Sequence, residues 1–138
     1  MIESIELNNF ISYKSSTIKF DDGITALIGS NGAGKSSILD AVMFSFFGEN
    51  GRDVNVEDLQ RIGENQMYTK TTFKIKGERY SAFRHYVNGK KKKIELQDES
   101  GELIAKDATI VKQKISELIN LDHSTFKIST VVPLKDLQ

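Results

Sequence analysis

Ile24-Thr25-Ala26-Leu27-Ile28-Gly29-Ser30-Asn31-Gly32-Ala33-Gly34-Lys35-Ser36 is the stretch on which the fold turns. Its first five residues are continuous and β-prone, the pattern of a strand buried on both faces. Gly29 to Ser36 then match G-x-x-x-x-G-K-[ST] at every fixed position. The glycines let the backbone curl until successive N–H groups point inward and form an anion nest. A helix beginning here adds its own free N–H groups and the positive end of its dipole. Lys35 supplies a mobile cation for the β and γ phosphates, and the Ser36 hydroxyl is placed to ligate Mg²⁺. The alternative is a chance match in a glycine-rich turn. Four fixed positions coincide in well under about 1% of chains of this length, and the flanking strand and helix patterns weigh further against chance. The stretch predicts a phosphate-binding loop for a nucleoside triphosphate, with ATP and magnesium as ligands.

Outward from the loop, Ser36 to Phe47 reads as a helix that Gly48 stops. Its apolar residues run almost all round, as in a helix buried in a core. Upstream, Ile2–Phe10 and Ser15–Phe20 alternate like half-buried strands, and Asp21-Asp22-Gly23 is a turn. Downstream, Glu49 to Asp58 reads as a polar loop. Met67 to Leu103 alternates through three strands, with turns at Lys76-Gly77-Glu78, Asn88-Gly89 and near Ser100-Gly101, an antiparallel meander. Asp107 to Asn120 has helical spacing, with Asp107 as a cap, and a short helix starts near Asp122 or Ser124 and runs through Phe126. The predicted class is therefore α/β: a P-loop strand–helix unit at 24–48 beside an antiparallel β subdomain at about 67–104.

The chain has 138 residues, 38% hydrophobic and 28% charged, the balance of one soluble globular unit. Basic and acidic residues number 19 each, so any nucleic-acid surface must be local. There is no cysteine, which excludes a disulfide scaffold and a thiolate metal site within these residues. The start lacks a signal-peptide pattern. The longest nearly apolar run, Ile38 to Phe47, falls short of the roughly 18 residues that a membrane helix needs. These features predict a cytoplasmic protein with no membrane partner, nucleoid-associated if prokaryotic.

Hydrolysis also requires a carboxylate to hold the metal or orient water, usually an Asp ending a strand of four apolar residues. Leu118-Ile119-Asn120-Leu121-Asp122 comes nearest, but Asn120 breaks the run and the surrounding pattern is helical. The cradle is thus expected to be one piece of a larger ATPase, inactive or very slow alone.

Asn9-Phe10-Ile11-Ser12-Tyr13, Phe20-Asp21-Asp22-Gly23-Ile24, and the loop continuing through Ser37-Ile38-Leu39-Asp40-Ala41 to Phe47-Gly48 resemble the N-terminal lobe of the Rad ATPase of the Mre/Rad double-strand-break repair complex. That family is SMC-like and belongs to the ABC ATPase class. The resemblance covers essentially the whole chain, residues 1–138. It implies a split ATPase head, in which a coiled coil with a zinc-binding apex and a C-terminal lobe with the signature motif and Walker B lie outside this sequence. It implies a homodimer of heads that sandwiches ATP, a Mre-type nuclease as partner, and double-stranded DNA as a further one.

Carried over by position, Asn31, Gly32, Ala33, Gly34, Lys35, Ser36 and Ser37 would wrap the phosphates, with Lys35 catalytic and Ser36 on the metal. Ser12 and Gln60-Arg61-Ile62 would flank base and ribose. Ile11 stands where relatives often have arginine. The family's metal-ligating glutamine falls at Leu134, which cannot ligate. Gln138 is the other candidate, in a different register. Two other readings stay open: a chromosome-organising or transporter-type ATPase lobe, and a nucleotide-binding interaction module that never hydrolyses.

Lys90-Lys91-Lys92-Lys93, with Arg79, Arg84 and Lys74 or Lys76, could contact DNA phosphates or form a solvated hairpin tip. His85 and His123 have no partner at metal-ligand spacing, which favours structural roles. Tyr13, Tyr80 and Tyr86 could stack on bases or pack against strand neighbours.

Overall fold

In a computed structural model, the described residues are 2–20, 33–48 and 55–121. The elements run β1 (Ile2–Phe10), β2 (Tyr13–Lys19), α1 (Ala33–Phe47), α2 (Val56–Leu59), β3 (Gln66–Ile75), β4 (Glu78–Val87), β5 (Lys90–Asp98), β6 (Leu103–Lys106) and α3 (Ala108–Leu121). The six strands form one sheet in the order β2-β1-β3-β4-β5-β6. Every neighbouring pair is antiparallel.

The meander is built by its turns. Lys76-Gly77 and Asn88-Gly89 place two consecutive residues at positive φ (50° and 84°, 52° and 75°). That combination is the two-residue hairpin turn whose twist matches the strands it joins. At the third turn the Asp98 carboxylate accepts hydrogen bonds from the backbone N–H of Ser100 and of Glu102, at 2.9 and 3.0 Å. The Ser100 hydroxyl donates to the same oxygen at 2.7 Å. These bonds hold the Asp98 carboxyl below its ordinary range.

The structure corrects four expectations. The meander has a fourth strand, β6, pairing Leu96 with Ala105 and Glu95 with Lys106. It is only four residues long, too short for alternation to mark it. The strand after β1 begins at Tyr13 rather than Ser15 and ends at Lys19. Phe20 is buried beyond it, and its N–H donates to the Glu3 carbonyl at 2.9 Å. Val56–Leu59, expected as loop, is a helical turn that buries Leu59 and opens on Glu57 and Asp58, acids favourable at the positive end of the dipole. Helix α1 starts at Ala33, inside the glycine motif, rather than at Ser36. The expected strand at 24–28, the helix near 122–126 and the Val131-Val132-Pro133 run lie outside the described residues.

Both long helices pack on one face of the sheet. Ala41, Val42, Phe44 and Phe46 of α1 are buried against Ile5, Leu7, Met67 and Phe73 of the strands. Phe44 lies 6.0 Å from the Phe10 ring and 5.3 Å from Tyr86, and Phe46 lies edge-on to Phe73 at 5.0 Å. Helix α3 presents a single apolar stripe, Val111, Ile115, Leu118 and Ile119, while Lys112 and Gln113 face solvent. It begins after Asp107, whose φ is +78° and whose carbonyl accepts the Val111 N–H at 2.9 Å. The opposite sheet face carries Tyr68, Phe83 and His85 as a half-exposed aromatic row, with centroids 5.6 and 6.3 Å apart.

Candidate functional site

The first helical residues of α1 are Ala33-Gly34-Lys35-Ser36, so the second half of the phosphate motif is the N-terminus of a 15-residue helix. The first-turn N–H groups of any α-helix lack intrahelical acceptors. No acidic residue occupies that turn. An anion placed there meets free donors and the positive end of the dipole without a competing carboxylate. That donor set fits a phosphate-class anion. Asn31 and Gly32 lie outside the described residues, as do the side chains of residues 33–37. Leu134, Gln138 and His123 lie outside them too.

Beside this helix, the β1–β2 turn and the exit of α2 are joined by backbone. The Ile11 N–H donates to the Leu59 carbonyl at 2.6 Å, and the Arg61 N–H donates to the Asn9 carbonyl at 2.7 Å. Phe10 and Gln60 form an isolated antiparallel bridge. Asn9 and Ile11 sit at positive φ, 54° and 55°, so the turn is held by these contacts against its own preference. This register sets Gln60 opposite Phe10 and Arg61 beside Asn9, and leaves Ser12 two residues along from the bridge on the Leu59 side. Ser12 is exposed, Arg61 is half-buried, and Ile62 is 98% exposed.

The Gln60 side chain is already engaged. Its Nε2 donates to the Glu64 carbonyl at 3.1 Å, and its Oε1 accepts the Gly89 N–H at 3.0 Å. It ties the exit of α2 to the hairpin tip that precedes Lys90, a link for which its sequence position gave no signal.

The basic set divides in three. Lys90, Lys91, Lys92 and Lys93 are all exposed. Arg79 is paired with Glu3 and Glu99, each at 2.6 Å. The hydrogen bond from Arg79 holds the Glu3 carboxyl below its ordinary value, against the opposing effect of burial, and raises the Arg79 guanidinium. Arg84 is not a surface cation: it is 1% exposed. It lies on the helix-facing side of β4, in line with Ala82 and Tyr86. Its Nε donates to the Ser45 carbonyl at 3.0 Å, and its Cζ stands 5.9 Å from the Phe44 centroid.

The histidine and tyrosines are drawn into packing. Tyr86 is buried, with its hydroxyl accepting from Arg84 Nη1 at 3.3 Å, and so is unavailable to stack on a base. Tyr80 stacks on Phe73 and donates to Glu78 at 2.8 Å; burial and that acceptor raise its hydroxyl. His85 Nε2 lies 3.3 Å from Gln66 Oε1.

The sequence model of the AAA domain family matches residues 4–138. The chain belongs to that family. Within it, this AAA domain is similar to the DNA double-strand break repair Rad50 ATPases of archaea. It is 35% identical over 135 residues to the one from Sulfolobus acidocaldarius, covering 96% of this chain and 15% of that protein. It is 38% identical over 136 residues to that of Sulfurisphaera tokodaii, covering 96% and 16%. With the Methanocaldococcus jannaschii protein it shares 34% identity over 126 residues, covering 91% and 12%. The AAA domain thus spans about 12–16% of the length of these relatives. Its fold is also that of the recombination mediator RecF solved with an ATP analogue. The TM-score is 0.60 at 20% identity, over 75% of this chain and 28% of that one. The α/β P-loop ATPase class expected from the glycine motif is the class found. Among the described residues, no helix is long and apolar enough to cross a membrane.

Proposed function

We propose that the chain is the ATP-binding lobe of a split ATPase head acting in DNA double-strand-break repair. The observation that carries this is a helix opening on Ala33-Gly34-Lys35-Ser36, free of acids in its first turn, at the end of a complete phosphate motif. The similarity to Rad50 ATPases supplies the task. Asn31 to Ser37 hold the triphosphate, Lys35 neutralises charge at the β and γ phosphates, and Ser36 ligates Mg²⁺. Ser12 and the Gln60–Ile62 strip flank the base and ribose, Gln60 through its backbone because its amide is engaged elsewhere.

The carboxylate and signature groups come from a C-terminal lobe and from a second head. Turnover therefore belongs to the assembled dimer, in which ATP-driven closure regulates DNA binding and a Mre-type nuclease. Zinc belongs to a coiled-coil apex beyond this sequence, and the protein works in the cytoplasm or on the nucleoid. The exposed Lys90–Lys93 hairpin contacts the DNA backbone.

Binding of a fluorescent ATP analogue with Mg²⁺ tests the reading. Lys35→Ala should weaken it about hundredfold, the loss of charge-assisted bonds to phosphate. Unchanged affinity would remove the loop from the site. ATP turnover by the lobe alone at the rate of a complete head would refute the half-site.

A further inference from the structure

A second concentration of positive charge lies at the other end of α1. A cavity of about 440 Å³ opens there, lined by Gly48, Arg84, Tyr86, Lys90 and Lys91 and by Ala108, the first residue of α3. Arg84 forms its buried wall. Nη2 of its guanidinium is buried and has no hydrogen-bond partner among the described residues. An arginine stays charged at any working pH. Burying such a charge uncompensated is unfavourable, so an anion that reaches it is stabilised.

No carboxylate lines the cavity among the described residues. Glu57 stands at its margin, where its Oε1 would lie 3.0 Å from a Cβ placed on Gly89.

Three features of the chain direct positive groups inward. The register of β4 with β5 shifts between His85, opposite Lys93, and Tyr86, opposite Lys91. The bulge at Lys92 turns Lys91 to the same sheet face as Tyr86 and Arg84. Gly48, at φ +73°, leaves room for the guanidinium: a Cβ there would stand 2.8 Å from Nη1. Helix α3 begins at the cavity just after Asp107 and has no acid in its first turn; its first N–H groups, which lack intrahelical acceptors, add to the positive potential.

We propose that this cavity is a phosphate-class oxyanion site, with Arg84 at its base and Lys90 and Lys91 at its rim. Three cations against the one carboxylate at the margin leave a surplus of two, which matches a phosphate group better than a single carboxylate. The site is separate from the Gly29–Ser36 loop, and its assignment does not rest on the nucleotide reading.

Calorimetric titration of the intact protein with inorganic phosphate tests it, in a Lys35→Ala background that silences the loop. Saturable binding should remain there. Lys90→Ser combined with Lys91→Ser should weaken it about tenfold or more, as expected for lost bonds to charged groups. Lys92→Ser combined with Lys106→Ser removes equal charge from outside the cavity and should weaken it less than about fivefold. Circular dichroism confirms that each variant is folded. Absence of phosphate binding in the Lys35→Ala protein would overturn the site. So would equal losses in the two lysine pairs, or binding of acetate as tight as that of phosphate. Duplex DNA titrated into the same variants identifies the source. A parallel loss of DNA affinity assigns the phosphate to the DNA backbone, and unchanged DNA affinity assigns it to a free phosphate group.

Discussion

Gly48→Ala probes the contact between the end of α1 and Arg84, and Gly77→Ala serves as its control. Both glycines lie at positive φ, +73° and +84°. Placing a Cβ in that conformation costs about 1–2 kcal/mol. The stiffer unfolded chain of the alanine variant returns about 0.4–1 kcal/mol. Gly77 has nothing within 4 Å of its added Cβ, so its net cost is about 1 kcal/mol. At Gly48 the added Cβ meets Arg84 Nη1 at 2.8 Å and Cζ at 3.2 Å. The end of an exposed arginine would swing away at little cost. This one is buried and held by the Ser45 carbonyl and the Tyr86 hydroxyl. Displacing it weakens a charge-assisted bond worth about 1.5–3 kcal/mol. Gly48→Ala should therefore destabilise by about 3 kcal/mol, roughly 2 more than the control. Urea unfolding of the two variants measures the difference. A gap below about 0.5 kcal/mol would refute the view that Arg84 is fixed against Gly48, since additivity errors are of that size.

Ile115→Ala removes a fully buried side chain from the stripe that seats α3, and should cost about 2–5 kcal/mol in the same assay. Glu3 titrates lower in the folded protein than its ordinary 4.5, so its pairing with Arg79 stabilises above that value and is lost as pH falls through the lowered one. Glu3→Gln should therefore be less stable than the parent near neutrality and lose less on acidification, as urea midpoints from about pH 6 to about pH 3 would show. Gln60→Leu leaves the Gly89 N–H without its acceptor and should cost about 1 kcal/mol, with faster hydrogen exchange at Gly89.

Much of this architecture was legible. The alternation of Ile2–Phe10 and Met67–Asp98 gave the strands, and Gly77, Gly89 and Gly101 gave the turns, because these signals depend on local backbone geometry. The phosphate motif gave the fold class, because glycines followed by lysine have a physical meaning wherever a helix starts beside them. The start of α1 was read three residues late because the motif itself supplies the first helical turn. Arg84 was misread as a surface cation. Both faces of β4 carry large side chains, Phe83 on one and Tyr86 on the other, so alternation alone did not decide which way the arginine pointed. Ala82 and Tyr86 share its parity, and that was the available clue. The Gln60 to Gly89 link joins turns distant in sequence, and only the folded chain reveals it.

The first strand ends up inside the sheet, with β2 on one side and β3 on the other. Its pairing with β2 closes through a short turn, while its pairing with β3 must close over the entire segment holding the glycine loop and α1. Loop-closure entropy makes such distant pairings late events. During synthesis, β1 and β2 therefore leave the ribosome as a hairpin with one open edge of unpaired N–H and C=O groups, which stays uncovered until Ile75 has emerged. The glycine motif lies in the chain between the two halves of that unfinished sheet. Helix α1, which opens on that motif, packs on β1 and β3 together, so a defect in the β1–β3 register would disturb its seat without altering any residue of the motif.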